Sequence, residues 1–169
     1  MLRNAKRHDI GAGIDEIRHC PNDRQPVGGQ GDSAAEGPLK TKTISSGSSF
    51  EEIAGYSRAV VVEHERYAEV LISGCTGFDY TTMTISEDLE QQVRRCFINI
   101  ADVLAKAGGD LSHLVRLRYY ITDASYWDIA APVFGDALAG ARPAATCIVA
   151  GLVDPRMKIE IEADARIPR

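Results

Sequence analysis

Glu160, Glu162 and Asp164 alternate with Ile159, Ile161 and Ala163 in the run from Lys158 to Arg166, so three carboxylates share one face of a strand whose other face is apolar. Acids in that setting either line a cleft, where one of them serves as a base or orients a water, or stay solvated on a wet strand. Other residues able to do chemistry are dispersed. Tyr56 and Ser73 offer hydroxyls, and Gly74 lets a backbone approach a ligand or only bends the chain. Cys75 and Cys147 carry thiols with no histidine placed to activate them. Arg118 stands on the polar face of its strand, and Arg142 precedes Pro143, whose ring restricts the backbone before it. His8, His19, His64 and His113 are isolated, and His19-Cys20 has no second pair to complete a metal site. No GxGxxG, GxxxxGK[ST] or HExxH pattern is present, so no metal and no cofactor is expected.

The elements that must position these residues follow from periodicity. Tyr56 to Val62 and Glu69 to Ser73 are β-branched runs joined by the charged turn Glu63-His64-Glu65-Arg66, a predicted hairpin. Thr84-Ile85-Ser86-Glu87 has the spacing of a capping box and precedes an apolar stripe at Leu89, Val93, Cys96, Phe97, Ile100, Val103, Leu104 and Ala107, which Gly108-Gly109 ends. Leu114 to Ile121 reads as a strand with Val115, Leu117, Tyr119 and Ile121 on one face and Arg116, Arg118 and Tyr120 on the other. Asp123 is expected to cap a second helix with Trp127, Ala130, Val133, Phe134 and Leu138 inward, kinked or shifted in its start by Pro132. Ala144 to Val149 and the run ending at Ile167 complete the order strand, strand, helix, strand, helix, strand, strand. That order implies an α+β fold, a mixed sheet with two helices on one face. The uncovered face would expose apolar surface, which self-association would hide.

The chain has 169 residues, enough for one domain, and a formal charge of -5 that gives no footprint for nucleic acid. No apolar run is long enough to span a bilayer, and no CxxC spacing suggests a disulfide framework for Cys20, Cys75, Cys96 and Cys147. A cytoplasmic protein without membrane partners is expected. Residues 1–48 mix Gly, Pro, Ser and charges without a sustained period and read as a disordered or irregular extension, leaving 49–169 as the domain.

Arg142-Pro143-Ala144-Ala145-Thr146-Cys147, followed by Lys158-Ile159-Glu160-Ile161-Glu162-Ala163, resembles the signature of the Rid family, also called YjgF or L-PSP endoribonuclease proteins. Ala54-Gly55-Tyr56-Ser57-Arg58-Ala59-Val60 is similar to that family's opening segment, Leu71-Ile72-Ser73-Gly74 to its Ser-Gly strand end, and Phe97-x-Asn99-Ile100 and Tyr120-x-Thr122-Asp123 to later pieces, all in order. The resemblance implies a chorismate-mutase-like (YjgF/L-PSP) fold assembled as a homotrimer around a central barrel, with small-molecule clefts between subunits. It implies hydrolysis of an enamine or imine with release of ammonium, Glu160 positioning the water, and Tyr56, Ser73, Gly74, Cys75, Ala145, Thr146 and Cys147 around the ligand. Cys147 would act through its backbone rather than its thiol.

The chain departs from the family pattern where it matters most. Ala145 stands at the position of the arginine that holds a substrate carboxylate, and alanine supplies no planar fork. Ala131 and Phe134 replace the usual Asn and Tyr, and Cys75 a usual glutamine. Arg118 and Arg142 are the candidate replacement cations. Three functions follow from these residues: a divergent hydrolase of imines, enamines or related metabolites, a trimeric metabolite-binding protein without turnover, and a ribonuclease, for which no histidine pair or basic track exists.

Overall fold

The computed structural model describes residues 39–169. In chain order its elements are β1 (Lys40–Ile44), α1 (Ser49–Ala54), β2 (Ala59–Glu63), β3 (Tyr67–Thr76), β4 (Phe78–Asp79), β5 (Thr84–Ile85), α2 (Leu89–Lys106), β6 (Leu114–Ile121), α3 (Trp127–Leu138), β7 (Ala144–Val149) and β8 (Ile159–Pro168). Six strands form one sheet in the order β1-β2-β3-β8-β6-β7, while β4 and β5 make a separate two-stranded ribbon. All neighbours in the main sheet are antiparallel except β6 and β7, which α3 joins as a parallel crossover. The expected α+β fold, a mixed sheet with the two long helices on one face, is the one observed.

The stripe on α2 buries Leu89, Val93, Cys96, Phe97, Ile100, Val103 and Leu104 against Val70, Ile72, Leu117, Ile161 and Ala163 of the sheet. α3 adds Ala130, Val133 and Phe134, and the Phe134 ring stacks on Tyr119 with centroids 4.1 Å apart. A second, smaller cluster of Phe78, Tyr80 and Met157 forms beyond the end of the main core, with Phe50 packed against it. That small cluster floors the cleft described below.

Several local expectations give way to tertiary structure. β1 and α1 had no signal of their own: within the expected extension, Lys40–Ile44 pairs with β2 as an edge strand, because β2 offers it a ladder. Residues 1–38, including His8, His19 and Cys20, lie outside the described residues. The cap of α2 is Asp88, whose carboxylate accepts from Gln91 N at 2.8 Å, and Thr84-Ile85 instead pairs with Phe78-Asp79. Val115 is exposed rather than inward, because the register of β6 against β8 slips between Leu114 and Arg116 and turns its side chain outward. Asp123 caps a 3-10 turn at Ala124–Tyr126, through its bond from Ser125 N at 2.8 Å, and α3 begins only after that turn. Pro132 lies inside α3, which runs on to Leu138, and Trp127 at its start is half-exposed.

One buried ion pair ties the N-terminal elements to the sheet. Arg58, 1% exposed, donates from Nε to Glu51 Oε1 at 3.3 Å, and Glu51 is itself 7% exposed. Glu51 also accepts from Ser45 Oγ at 2.7 Å and Ser46 N at 3.1 Å, so the segment between β1 and α1 closes around its carboxylate. Burial pushes the Glu51 carboxyl up, but the bonds from Ser45 and Ser46 and the Arg58 charge together outweigh it and hold the group below the usual range. A depressed carboxylate stabilises the fold above its unfolded pKa, and that stability disappears as pH falls through the folded value. Glu51→Ala leaves Arg58 buried without its counter-charge and is expected to lower unfolding stability by about 3–5 kcal/mol in urea titrations. Glu51→Gln is expected to flatten the acid limb of stability against pH; a loss under about 1 kcal/mol for the alanine variant would remove this pair from its structural role.

Candidate functional site

β3 and β8 position the carboxylate that the sequence singled out. Their pairing runs regularly to Ile72 opposite Ala163 and resumes at Cys75 opposite Ile161, so β3 holds one extra residue at Ser73-Gly74. The bulge is stitched to the segment that leads into β2: Ser73 N donates to Arg58 O at 3.0 Å, and Ser73 Oγ to Ser57 O at 2.8 Å. Gly74 O accepts from Arg58 Nη1. Beyond the bulge Thr76 lies opposite Glu160. The Glu160 side chain crosses the bulge so closely that a Cβ on Gly74 would sit 1.7 Å from Oε1. Glycine leaves that space to the Glu160 side chain, which a methyl group at residue 74 would displace.

Glu160, Gly74, Thr76, Tyr56, Arg58 and Tyr80 form the polar part of a cleft of about 310 Å³. Phe50, Ile53 and Ala54 of α1 and Val153 and Met157 from the loop before β8 supply its apolar walls. Glu160 is half-buried; burial raises its pKa, the nearby Glu162 charge raises it further, and Arg58 opposes both. Arg58 Nη2 donates to Tyr56 Oη at 2.9 Å, and the guanidinium lies 4.4 Å from the Tyr80 ring centroid. Tyr80 Oη accepts from Thr76 N at 3.0 Å. Burial, opposed by Arg58, raises the Tyr56 pKa, so its phenol stays protonated near neutrality.

Two buried polar residues of α2 hold the walls in place. Gln92 donates from Nε2 to Ser86 O at 2.7 Å and Arg156 O at 2.9 Å, and its Oε1 accepts from Lys158 N at 2.8 Å. Asn99 donates from Nδ2 to Thr76 O at 3.1 Å and Phe78 O at 2.9 Å. The helix that makes the core thus also fixes the strand end and the loop on either side of the cleft.

The structure brings Glu160, Tyr56 and Gly74 together and leaves the remaining candidates elsewhere. Ser73 is bound to the Ser57 carbonyl at the back of the bulge. The Cys75 thiol belongs to the core, where burial pushes it up to about 11, and Cys147 packs against the same core with its thiol also raised by burial. Ala145 lies opposite Leu117, on the helix side of the sheet, whereas Glu160 is on the other side, so these two positions do not meet within one chain. Thr146 is exposed on the β7 edge, and Arg142 is exposed before it. Arg118 reaches Glu162 at 3.5 Å and Asp164 at 3.3 Å. In the sequence Arg58 stands out only as part of the segment Ala54-Gly55-Tyr56-Ser57-Arg58-Ala59-Val60. Its signal was a charge set directly before the apolar run Ala59-Val60-Val61-Val62, where a strand about to enter the core carries an arginine.

Residues 46–167 match the family model described as endoribonuclease L-PSP. The chain belongs to this family. Protein DfrA of Myxococcus xanthus is 32% identical over 128 residues, covering 75% of this chain and 96% of DfrA. Rv2704 of Mycobacterium tuberculosis, a member of the YjgF/YER057c/UK114 family, is 34% identical with a TM-score of 0.66, over 76% of this chain and all (100%) of that one. RidA from an Antarctic Psychrobacter is 32% identical with a TM-score of 0.61, over 66% of this chain and 88% of its own. The L-PSP match spans the strand end at Ser73-Gly74, the β7 segment and β8 together, which are the pieces that carried the resemblance.

Because only the flexible end of Glu160 blocks a methyl group at residue 74, the two effects of Gly74→Ala separate. The variant is expected to keep its unfolding midpoint within a few degrees while the Glu160 carboxylate moves out of the cleft. Carboxyl carbon shifts of Glu160 across a pH titration would read this. An unchanged titration would show that the close approach does not hold the carboxylate in place.

Proposed function

We propose that this L-PSP family member hydrolyses the C=N bond of a small imine, the imine tautomer of an enamine, or a related metabolite, with release of ammonium. The observation that carries the reading is Glu160: a half-buried carboxylate with a raised pKa, against Gly74, at a cleft whose other walls are largely apolar. A carboxylate so placed takes a proton from water as the water oxygen bonds to the imine carbon. Glu160 passes that proton to the nitrogen, and as the tetrahedral adduct collapses the hydroxyl proton also goes to the nitrogen by way of Glu160, so the C–N bond breaks, a C=O forms and ammonia leaves to become ammonium in water. Holding water and substrate in this geometry supplies most of what a reactive imine needs, and general acid-base help adds roughly 10² to 10⁴ in rate.

The proposed assembly is a homotrimer with clefts between subunits, in the cytoplasm. Two features support it: among the described residues nothing pairs with the outer edge of β7, where Ile148 and Val149 are half-exposed, and the Ala145 and Glu160 positions lie on opposite sides of one sheet, so a cleft containing both needs two copies. The described cysteines are all free thiols, in keeping with a reducing compartment. Ser73, Cys75, Thr146, Cys147, Arg118 and Arg142 enter this reading as backbone, core or intersubunit groups rather than as acid or base. The absence of arginine at Ala145 favours a second reading, a trimeric protein that binds a metabolite without turning it over. Ribonuclease chemistry gains nothing from the cleft, since neither His64 nor His113 lines it.

Ammonium release from enzymatically generated imino acids and from uncharged imines tests the choice. Turnover is expected to fall at least 10²-fold in Glu160→Gln. The raised pKa puts the acid limb of kcat/KM above the ordinary carboxylate range, because the unprotonated form is the one that takes the proton. Turnover that survives in Glu160→Gln removes the assigned base, and silence over the whole panel leaves the binding reading.

A further inference from the structure

Among the described residues Arg58 is the cation that lines the cleft with Glu160, and its donors are already committed. Nε points to Glu51, Nη1 to Gly74 O and Nη2 to Tyr56 Oη, while one guanidinium face covers Tyr80. Its charge is matched by buried Glu51. Arg118, the cation of the adjoining strand, is held by Glu162 and Asp164. Within one chain the described residues of the cleft therefore present no free cation, and an anionic ligand would meet the Glu160 carboxylate directly.

The commitment of Arg58 has a second effect. A guanidinium only donates, so the bond from Nη2 occupies the Tyr56 oxygen as an acceptor and leaves the phenol proton to be donated outward. The cleft thus carries a fixed donor, Tyr56, and a fixed acceptor, Glu160. At its mouth Ile53 is 84% exposed on α1 and Val153 is 89% exposed on the opposite loop, so the entrance is apolar on both sides.

Resting on the reading of this cleft as the substrate site, we infer that it selects a neutral polar head, one C=N–H or amide group on an apolar tail. Tyr56 donates to the heteroatom, Glu160 accepts the N–H, and Arg58 is the positioning residue that fixes Tyr56 as a donor. The substrate class is then uncharged, in contrast to the carboxylated imino acids that an arginine at position 145 would hold.

Benzamide and benzoate, equal in shape and different in charge, test this with the full chain by calorimetry and ligand-observed NMR. Benzamide is expected to bind at pH 7 at least tenfold more tightly than benzoate. Tyr56→Phe, at a side chain that is 37% exposed, is expected to weaken benzamide about tenfold, with the unfolding midpoint of the variant showing whether buried Arg58 tolerates the loss of its acceptor. Glu160→Gln is expected to raise benzoate affinity about tenfold by removing the like charge, and Arg58→Gln to reduce the preference for benzamide where that variant folds. Benzoate binding as tightly as benzamide, no binding of either, or benzamide affinity unchanged in Tyr56→Phe would overturn the inference. Benzamide binding with no ammonium release from any imine removes hydrolysis and keeps the selection of a neutral head. Preferential turnover of carboxylated imino acids removes the selection and keeps hydrolysis.

Discussion

The guanidinium of Arg58 is the constraint on which the cleft depends. Removing an arginine from water is costly unless its charge is matched and its N–H groups are bonded, and here one side chain finds both in four directions. Glu51 draws in the segment between β1 and α1, the Gly74 carbonyl fixes the bulge of β3, and the Tyr56 hydroxyl fixes a wall of the cleft. Tyr80, stacked beneath, belongs to the small apolar cluster that forms the floor. Losing any of these partners would leave polarity exposed in a dry place, so the arrangement holds together as a unit.

The same economy of parts governs α2. Its apolar stripe drives the helix onto the sheet, and between those side chains Gln92 and Asn99 reach buried carbonyls and amides that no strand partner would satisfy. Gly77 lets the chain between β3 and β4 run close to this helix, since a Cβ there would lie 2.6 Å from the Gln92 side chain. Core packing and site geometry are consequently linked: a shift of α2 moves the Thr76 strand end and the loop through Lys158 at once.

Much of the frame was readable residue by residue. The stripe on α2, the hairpin of β2 and β3, and the alternation of β8 follow from side-chain periodicity, a local property of the chain. The expectations that failed were those in which a local signal had a rival. Thr84 had the spacing of a cap, but Asp88 lies nearer the first turn and Thr84 found a strand partner. Val115 continued an alternation that a bulge interrupted. β1 was not visible because an edge strand of five residues, Lys-Thr-Lys-Thr-Ile, is held by the ladder of its neighbour rather than by its own composition. Of the residues at the cleft, Glu160, Tyr56 and Gly74 were singled out through the family pattern, whereas Arg58, Tyr80 and Glu51 were not, since their meaning lies in contacts with one another.

By itself the sequence determined the fold class and the family and put Glu160 on the polar face of an alternating strand, because periodicity and colinear motifs are carried by residue order. Tertiary structure decided which groups face one another: that Ala145 and Glu160 lie on opposite sides of the sheet, that Arg118 is bound to Glu162 and Asp164, and that Arg58 is buried beside Glu51. The physical reason is that charge pairing and close approach act through space over a few ångströms. Residues 51, 58, 74 and 160 become neighbours only after a bulge in β3, the turn of α1 and the pairing of β8 have brought them together.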